Sequence, residues 1–321
     1  MKFTSIPENN ALLDEGLVYD IDLEKVCDRV ELSVADLTDG ERTVATLRFA
    51  QTAFISIDIA PYVRRMLHPE PFENAPELYD DWGRTVQVAL RVDGEQSPVR
   101  TFSLFADDGL PRILTTFPER RTIASGEFDE VAFRAPAGGR IGISTETGDG
   151  AVKSRFVNVP ASERIRVFRF SPENFVDTRH ISIVFGFGDR SATLEYDRVH
   201  RSGEAVRVAW LASSGAIEYY TFPTRKEHKL SVGKGRIYSR NGYETSVAGC
   251  EASTVLVSDY EPHGVVRALE EILSSPCVWR VDNGRYTELD VVSSECLHRA
   301  DGLPERVSIE IRTRKREEGL K

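Results

Sequence analysis

The sequence lacks the features that would place the chain across a membrane, on nucleic acid or around a metal. No run approaches the roughly 18 apolar residues of a membrane-spanning helix, and the first residues, MKFTSIPENNALLDEGL, contain no uninterrupted apolar stretch of a secretory signal. The formal net charge is −10, and binding to phosphates needs a concentrated basic face. The six histidines form no HxH or HExxH group. We therefore expect no membrane, no nucleic acid, no metal and no cofactor.

Cysteine is scarce as well. The four cysteines are Cys27, Cys250, Cys277 and Cys296. They are widely spaced and form no CxxC pair, which is typical of reduced thiols in a protein made in the cytosol. One disulfide is left open by the sequence. A thiol nucleophile would need Cys250 or Cys296, with His263 or His298 as its base, but no motif surrounds either cysteine.

Glycine-rich and acidic motifs offer no catalytic pattern. SVGKGR at 231–236 lacks the spacing and the hydroxyl residue of a phosphate-binding loop, and FGFGDR at 185–190 and APAGGR at 135–140 are expected to be turns. The acidic pairs Asp80-Asp81 and Asp107-Asp108 are adjacent, so an extended chain would point the two carboxylates of each pair to opposite sides. Such pairs are poor candidates for glycoside hydrolysis.

What the sequence does contain is a dense series of short strands. Residues 29–35, 43–50, 53–59 and 85–92 alternate or are rich in β-formers, and a short helix is predicted after Pro61. Residues 69–82 are predicted as a surface loop. Between Phe128 and Tyr220 many short β-branched or aromatic segments are separated by turn residues, the pattern of a sandwich or barrel. The predicted fold is mainly β, built from β-sandwich modules.

One segment in this region, RIRVFRF, has a blurred alternation. Ile165 and Val167 share a face with Arg169, while Phe168 and Phe170 lie on the other face with two arginines. Neither face is cleanly apolar, so the pattern leaves open which side is core.

The C-terminal part carries one amphipathic helix packed on a sheet. Its apolar stripe is Val265, Val266, Leu269, Ile272 and Leu273. Ser258 or Asp259 could cap this helix, a tight turn follows at 282–284, and a last strand is predicted at 305–312. The predicted division is an N-terminal β-rich domain at 1–125, a central sandwich-like region at 126–225 and a C-terminal β region at 226–321 with the helix at 262–274.

One stretch occurs twice. WLASSGAIEYYTFPTRK, from Trp210 to Lys226, has a weaker copy in FADDGLPRILTTFPERR, from Phe105 to Arg121. Each copy has a glycine, a run of β-formers and then Thr-Phe-Pro before a basic pair. The first copy lacks the tryptophan and both tyrosines of the second, so what repeats is backbone geometry and surface charge. We predict a strand exit that leads to a contact between modules or subunits, with Phe222 buried, a strand break at Pro223 and Arg225 facing a partner.

The site residues that follow from these stretches fall into two groups. The interface candidates are Phe117, Arg120, Arg121, Phe222, Arg225 and Lys226. Both basic pairs are predicted to be exposed, as partners for an acidic neighbouring subunit. The aromatic candidates for binding a surface glycan or a protein partner are Trp210, Tyr219, Tyr220 and Trp279. Core packing in a β-domain is the alternative for each of these rings.

The segment VRVAWLASSGAIEYYTFP, the Lys-rich strand after it and LVSDYEPHGVVRALEEILSSPCVWRVDNGRYTELDVVSSE together resemble the C-terminal half of structural virion proteins of Bacteroides-group bacteriophages and prophages. These are tail or baseplate-type components, and IDIAPYVRRML is similar to an element of their N-terminal halves. The resemblance covers about 206–314 and, more weakly, 57–67.

The resemblance implies a non-enzymatic component of a phage tail or baseplate, made in the host cytoplasm and located in the virion. It would form a ring or tube with copies of itself and contact other phage structural proteins. Two alternatives remain: a carbohydrate-binding β-sandwich of a host-recognition device, and a hydrolase of cell-wall or capsule polymer, for which no motif is present.

Overall fold

The computed structural model describes residues 1–11, 13, 16–81, 83–104, 110–147, 150–175, 178–240, 242–295 and 303–314, except for the side chains at 163, 174, 226, 239 and 245–250. In chain order the strands are β1 (Lys2–Ser5), β2 (Val18–Asp36), β3 (Arg42–Asp58), β4 (Leu78–Asp80), β5 (Thr85–Val92), β6 (Glu95–Gln96), β7 (Arg100–Ser103), β8 (Arg112–Leu114), β9 (Arg120–Ala124), β10 (Asp129–Ala135), β11 (Gly139–Thr147), β12 (Val152–Val159), β13 (Ser162–Phe170), β14 (Thr178–Phe187), β15 (Arg190–Val199), β16 (Val206–Leu211), β17 (Ile217–Phe222), β18 (Thr224–Ser239), β19 (Gly242–Val257), β20 (Val278–Asp282), β21 (Arg285–Val291) and β22 (Ser308–Thr313). The α-helices are α1 (Ala60–Met66) and α2 (His263–Ser274). The predicted mainly-β class, with a short N-terminal helix and one amphipathic helix near the C-terminus, is confirmed.

The N-terminal sheet is built around β2, which pairs with β1, β3 and β5. Val30, Leu32 and Val34 of β2 are buried, as their alternation predicts. Helix α1 has Pro61 in its first turn, where the missing backbone N–H costs no hydrogen bond. It buries Val63 in the same core.

The central sandwich consists of two sheets. One has the strand order β4-β13-β10-β8 and the other β12-β11-β14-β15-β9, in which β9 runs parallel to β15. Their facing sides enclose an aromatic core that includes Phe133, Phe168, Phe170, Phe185 and Tyr196. The phenol of Tyr196 and the ring of Phe170 meet edge to face, with ring centroids 4.5 Å apart.

Strand β13 has two buried faces, which explains its blurred sequence pattern. Phe168 and Phe170 point into the sandwich, whereas Ile165 and Val167 point the other way and pack with Ala216. The β4-β13-β10-β8 sheet is therefore covered on both sides, and a strand in that position does not alternate between apolar and polar residues.

The C-terminal sheet has the order β17-β16-β20-β21-β22-β19-β18, and α2 packs on one face. The predicted stripe of α2 is buried except for Leu273, which is partly buried. The predicted cap is wrong, because α2 begins at His263 after Pro262 and has no side-chain cap. The hydroxyl of Ser258 instead donates to the Asp259 carbonyl and accepts the backbone N–H of Val307.

Strand pairing divides the chain differently from the predicted boundaries at 125 and 225. β4 and β8 lie within 1–125 but belong to the central sandwich, and β16 and β17 lie within 126–225 but belong to the C-terminal sheet. The segment 69–82, predicted as a loop, contains β4. These pairings join residues far apart in sequence, so turn spacing alone does not reveal them.

Candidate functional site

The two copies of the repeated stretch pack on each other. The ring of Phe117 in the first copy lies 5.7 Å from the ring of Trp210 in the second, centroid to centroid. The carboxylate of Glu218 accepts the backbone N–H of Thr116 at 3.1 Å and the hydroxyl of Thr115. Residues 105–109 of the first copy lie outside the described part of the chain. The repeat therefore forms a contact between the central sandwich and the C-terminal sheet, within one chain.

Arg121 lies at the centre of this contact, and the prediction that it is exposed is wrong. Its side chain is only 7% exposed, and its guanidinium lies 3.4 Å from the Glu218 carboxylate and 3.5 Å from that of Asp129. It also donates to the hydroxyl of Thr115. The acidic partner expected on another subunit is thus supplied by β17 and β10 of the same chain.

The residues Arg121, Thr115, Asp129, Tyr196 and Glu218 form what we call the Arg121 cluster. The phenol of Tyr196 donates to Asp129 at 2.9 Å. Burial raises the pKa of Glu218, and the opposing effect of the Arg121 guanidinium does not fully offset it. Each buried charge has a partner, as a charge removed from water requires.

A second buried group, the Glu130 cluster, lies beside the first and consists of Glu130, Tyr79, Tyr219, Tyr286 and Arg169. The phenols of Tyr79 and Tyr219 donate to the Glu130 carboxylate, at 3.0 and 2.5 Å, and the Arg169 guanidinium lies 3.6 Å from it. The phenols of Tyr219 and Tyr286 are 2.9 Å apart. Burial raises the pKa of Glu130, although these partners lower it in part. The cluster joins β4, β10, β13, β17 and β21.

The other interface candidates occupy different environments. Phe222 is fully buried and ends β17, and Pro223 separates β17 from β18, both as predicted. Arg120 is exposed, with 72% of its side chain accessible, and its Nε lies 2.7 Å from Asp197 of the same chain. Arg225 is half-buried, so its contact with a partner stays a prediction. The side chain of Lys226 lies outside the described residues.

The four candidate glycan aromatics do not form an exposed platform. Trp210, Tyr219, Tyr220 and Trp279 are between 0% and 7% exposed, because the strands that carry them are covered on both faces. Trp210 packs beneath α2 and Tyr219 belongs to the Glu130 cluster. The phenol of Tyr220 donates a hydrogen bond to the Glu261 carboxylate at 2.7 Å. Trp279 lines an open groove.

The groove has a volume of about 720 Å³ and lies between the loop after α1 and strands β20 and β21. The lining residues that matter below are Leu67, Glu70, Glu73, Trp279, Tyr286 and Glu288. Three of these are acidic, and Arg314 is the basic residue beside them. Glu70 and Glu73 are exposed, and Tyr286 and Glu288 are half-buried. The groove therefore combines an aromatic floor with an acidic rim.

A long hairpin, β18 and β19, has mostly exposed side chains from Glu227 to Glu244 where these are described. Only Thr254–Val257 of β19 pair with β22 among the described residues, so the hairpin beyond them, residues 229–253, extends as a two-stranded ribbon that we call the arm. Near its tip Tyr238 and Tyr243 are 76% and 75% exposed, and their rings are 5.1 Å apart. At a rise of about 3.3 Å per residue, the tip lies roughly 35 Å beyond Thr254.

One face of the arm is apolar and basic. The residues of β18 on this face are Leu230, Val232, Lys234, Arg236 and Tyr238, with Tyr243 directly opposite Tyr238 on β19. All six are exposed. The acidic residues of the arm, Glu244 and Glu251, pair in register with Ile237 and Ser231 and so lie on the other face.

The sequence interpretation missed both the arm and the groove. The arm does leave a signal, because every second residue from Leu230 to Tyr238 is apolar or basic and none is acidic. The groove leaves none, since Glu70 and Trp279 come from segments about 200 positions apart in a chain of 321 residues.

The residues considered for catalysis do not come together in the described part of the chain. His263 starts α2, whereas Cys296, His298 and the side chain of Cys250 lie outside the described residues. No group of three or more potential metal ligands occurs among the residues described. Within the same ranges, no helix is long and apolar enough to cross a membrane.

No protein-family model and no curated protein matches the chain. Among solved structures, it is similar to Drosophila immunoglobulin-domain proteins. The structure of Dpr2 Ig1-Ig2 in complex with DIP-Theta Ig1-Ig3 has 7% identity and a TM-score of 0.21, covering 99% of this chain and 90% of that one. Drosophila OTK, extracellular domains 3-5, has 9% identity and a TM-score of 0.23, covering 75% of this chain and 85% of that one. At TM-scores this low, neither likeness carries an argument.

Proposed function

We propose that the protein is a non-enzymatic structural component of a bacteriophage tail or baseplate, located in the virion, which assembles with itself and with neighbouring virion proteins. The resemblance of residues 206–314 to such proteins supports this assignment. The observation that carries it in the structure is the arm, an apolar and basic ribbon that projects from a well-packed body.

The arm supports assembly for a physical reason. An isolated two-stranded hairpin is marginally stable in water, since it has no core of its own. Exposed apolar patches on otherwise polar surfaces mark sites of protein interaction. Leu230, Ile237, Tyr238 and Tyr243 are each more than 60% exposed, and contact with another protein would bury them.

The test is assembly of purified protein, followed by light scattering and negative-stain microscopy. The wild type is expected to form rings or tubes and to be present in purified particles. Tyr238→Ser together with Tyr243→Ser should abolish the assemblies without changing the melting temperature. Tyr260→Ser is the matched control, because Tyr260 is 66% exposed and lies outside the arm. A wild type that is strictly monomeric at high concentration and absent from particles would refute the proposal.

Carbohydrate binding is the second candidate, and the groove is the observation that favours it. Aromatic rings stack on sugars and carboxylates accept hydrogen bonds from their hydroxyls, and the groove offers the half-buried ring of Tyr286 beside Glu70 and Glu288. A glycan array should then give hits that Tyr286→Ala and Glu70→Gln each weaken. An array without hits would count against this function.

A further inference from the structure

We propose that the arm of one copy binds in the groove of a second copy, so that the protein assembles head to tail. This inference rests on the proposed function and names the contact that would carry it. The contact would place Tyr238 and Tyr243 against Trp279 and Tyr286, with the basic residues of the arm facing the acidic rim of the groove.

Charge complementarity is the first reason to choose a second copy as the partner. The arm carries four basic and two acidic residues in a chain of net charge −10. Lys234 and Arg236 lie on its apolar face, and no described carboxylate forms an ion pair with either of them. On the other face, Lys229 pairs with Glu310 at 2.6 Å and Glu251 pairs with Arg312 at 2.6 Å. Two of the four positive charges of the arm, those of Lys234 and Arg236, thus lie on the apolar face.

The groove carries charge opposite to that of the apolar face of the arm. Glu70, Glu73 and Glu288 surround an aromatic floor, with Arg314 as the basic residue among them. An incoming Lys or Arg would offset this negative charge, and a pair of opposite charges at an interface favours the correct partner and orientation.

The arm does not reach the groove of its own chain. Residues 229–253 extend away from the sheet as a continuous ladder of paired residues, interrupted by a register shift between Gly233 and Lys234. The tip lies roughly 35 Å from Thr254, and β22 and β19 separate the groove strand β21 from β18 within the sheet. The contact must therefore join different copies. A contact between two different surfaces of identical chains is heterologous, and it closes into a ring or continues as a tube.

A charge exchange between the two surfaces tests this contact. In the first variant, Lys234→Glu and Arg236→Glu make the arm acidic. In the second variant, Glu70→Lys and Glu288→Lys make the groove basic. In each variant alone, the arm and the groove would carry charge of the same sign and repel each other. We expect each alone to sediment as a monomer in analytical ultracentrifugation, whereas an equimolar mixture regains assembly, because every arm in the mixture then has a groove of opposite charge available.

The outcomes separate this inference from the proposed function. Recovery in the mixture shows that both variants are folded, and melting curves of each alone check the same point. The arm–groove contact is wrong if both variants assemble alone as the wild type does. It is also wrong if the wild type assembles but neither the variants alone nor their mixture does. In both cases the proposed self-assembly stands. If the wild type itself never assembles, both proposals fall. A groove that binds a glycan while both variants assemble normally would also overturn the contact.

Discussion

Replacing Arg121 by methionine should destabilise the protein far more than the same change at Arg120, the neighbouring residue. Arg121→Met removes a cation that is 7% exposed and leaves Glu218 and Asp129 buried with a lost partner. Breaking a buried pair by removing one partner costs about 3–5 kcal/mol. The Arg120 pair is the shorter of the two, at 2.7 Å from Asp197, but the arginine is 72% exposed. Pairs of that kind contribute about 0–1 kcal/mol. Burial of the ion pair, and not the distance between its charges, therefore decides which arginine contributes more to stability.

The assay is chemical denaturation followed by tryptophan fluorescence and circular dichroism, with both variants measured beside the wild type. Adding Glu218→Gln to Arg121→Met should recover part of the loss, since the carboxylate that lost its partner then becomes neutral. A coupling energy of roughly 1 kcal/mol or more is expected from groups in contact. Equal destabilisation by Arg121→Met and Arg120→Met, within about 0.5 kcal/mol, would refute the assignment of Arg121 to a buried cluster.

Three further predictions concern the same body. Burial raises the pKa of Glu130 above its ordinary value of 4.5, so the ionised carboxylate is less stable in the folded state than in the unfolded state. The wild type should therefore lose stability relative to Glu130→Gln as pH rises above about 4.5. A difference in unfolding free energy between the two proteins that stays constant with pH would contradict this. Phe117→Ala removes a partly buried ring from the contact between the two repeat copies and should cost about 0.5–3 kcal/mol by denaturant midpoint, whereas Phe156→Ala, at a ring 59% exposed, should cost much less. Leu269→Ala empties a fully buried position of α2 and should cost about 2–5 kcal/mol, while Arg267→Ala on the exposed side of the same helix should stay within about 0.5 kcal/mol.

The sequence predicts the class of the fold and most of the elements, because local periodicity decides them. Helix α2 and strand β5 lie where their apolar patterns place them. The pattern fails where a second layer of structure covers a strand. Ile165 and Phe168 are both buried, on opposite faces of β13. The strand therefore has no apolar–polar alternation from which the side of the core could be predicted.

The candidate site was less predictable than the fold, and Arg121 shows why. The basic pair after Phe-Pro is predicted to be solvated, because arginine is rarely buried without a partner. Here the partners are Asp129 and Glu218, the latter almost 100 positions away in sequence. A buried ion cluster of this kind depends on tertiary contacts, and neither spacing nor composition contains them.

The C-terminal sheet connects the repeated stretch to the arm. This connection affects how successive copies would be arranged in a head-to-tail assembly. β22 pairs with β21, which lines the groove, and with β19, which forms the base of the arm. The Glu130 cluster ties β21 to the central sandwich, because the phenol of Tyr286 contacts that of Tyr219, which donates a hydrogen bond to Glu130 of β10. The arm base and the β21 side of the groove therefore belong to one hydrogen-bonded sheet. In the proposed contact each added subunit would be rotated from the previous one by the same angle, so that this angle, set by the pairing of β19, β22 and β21, would decide between a closed ring and a continuing tube.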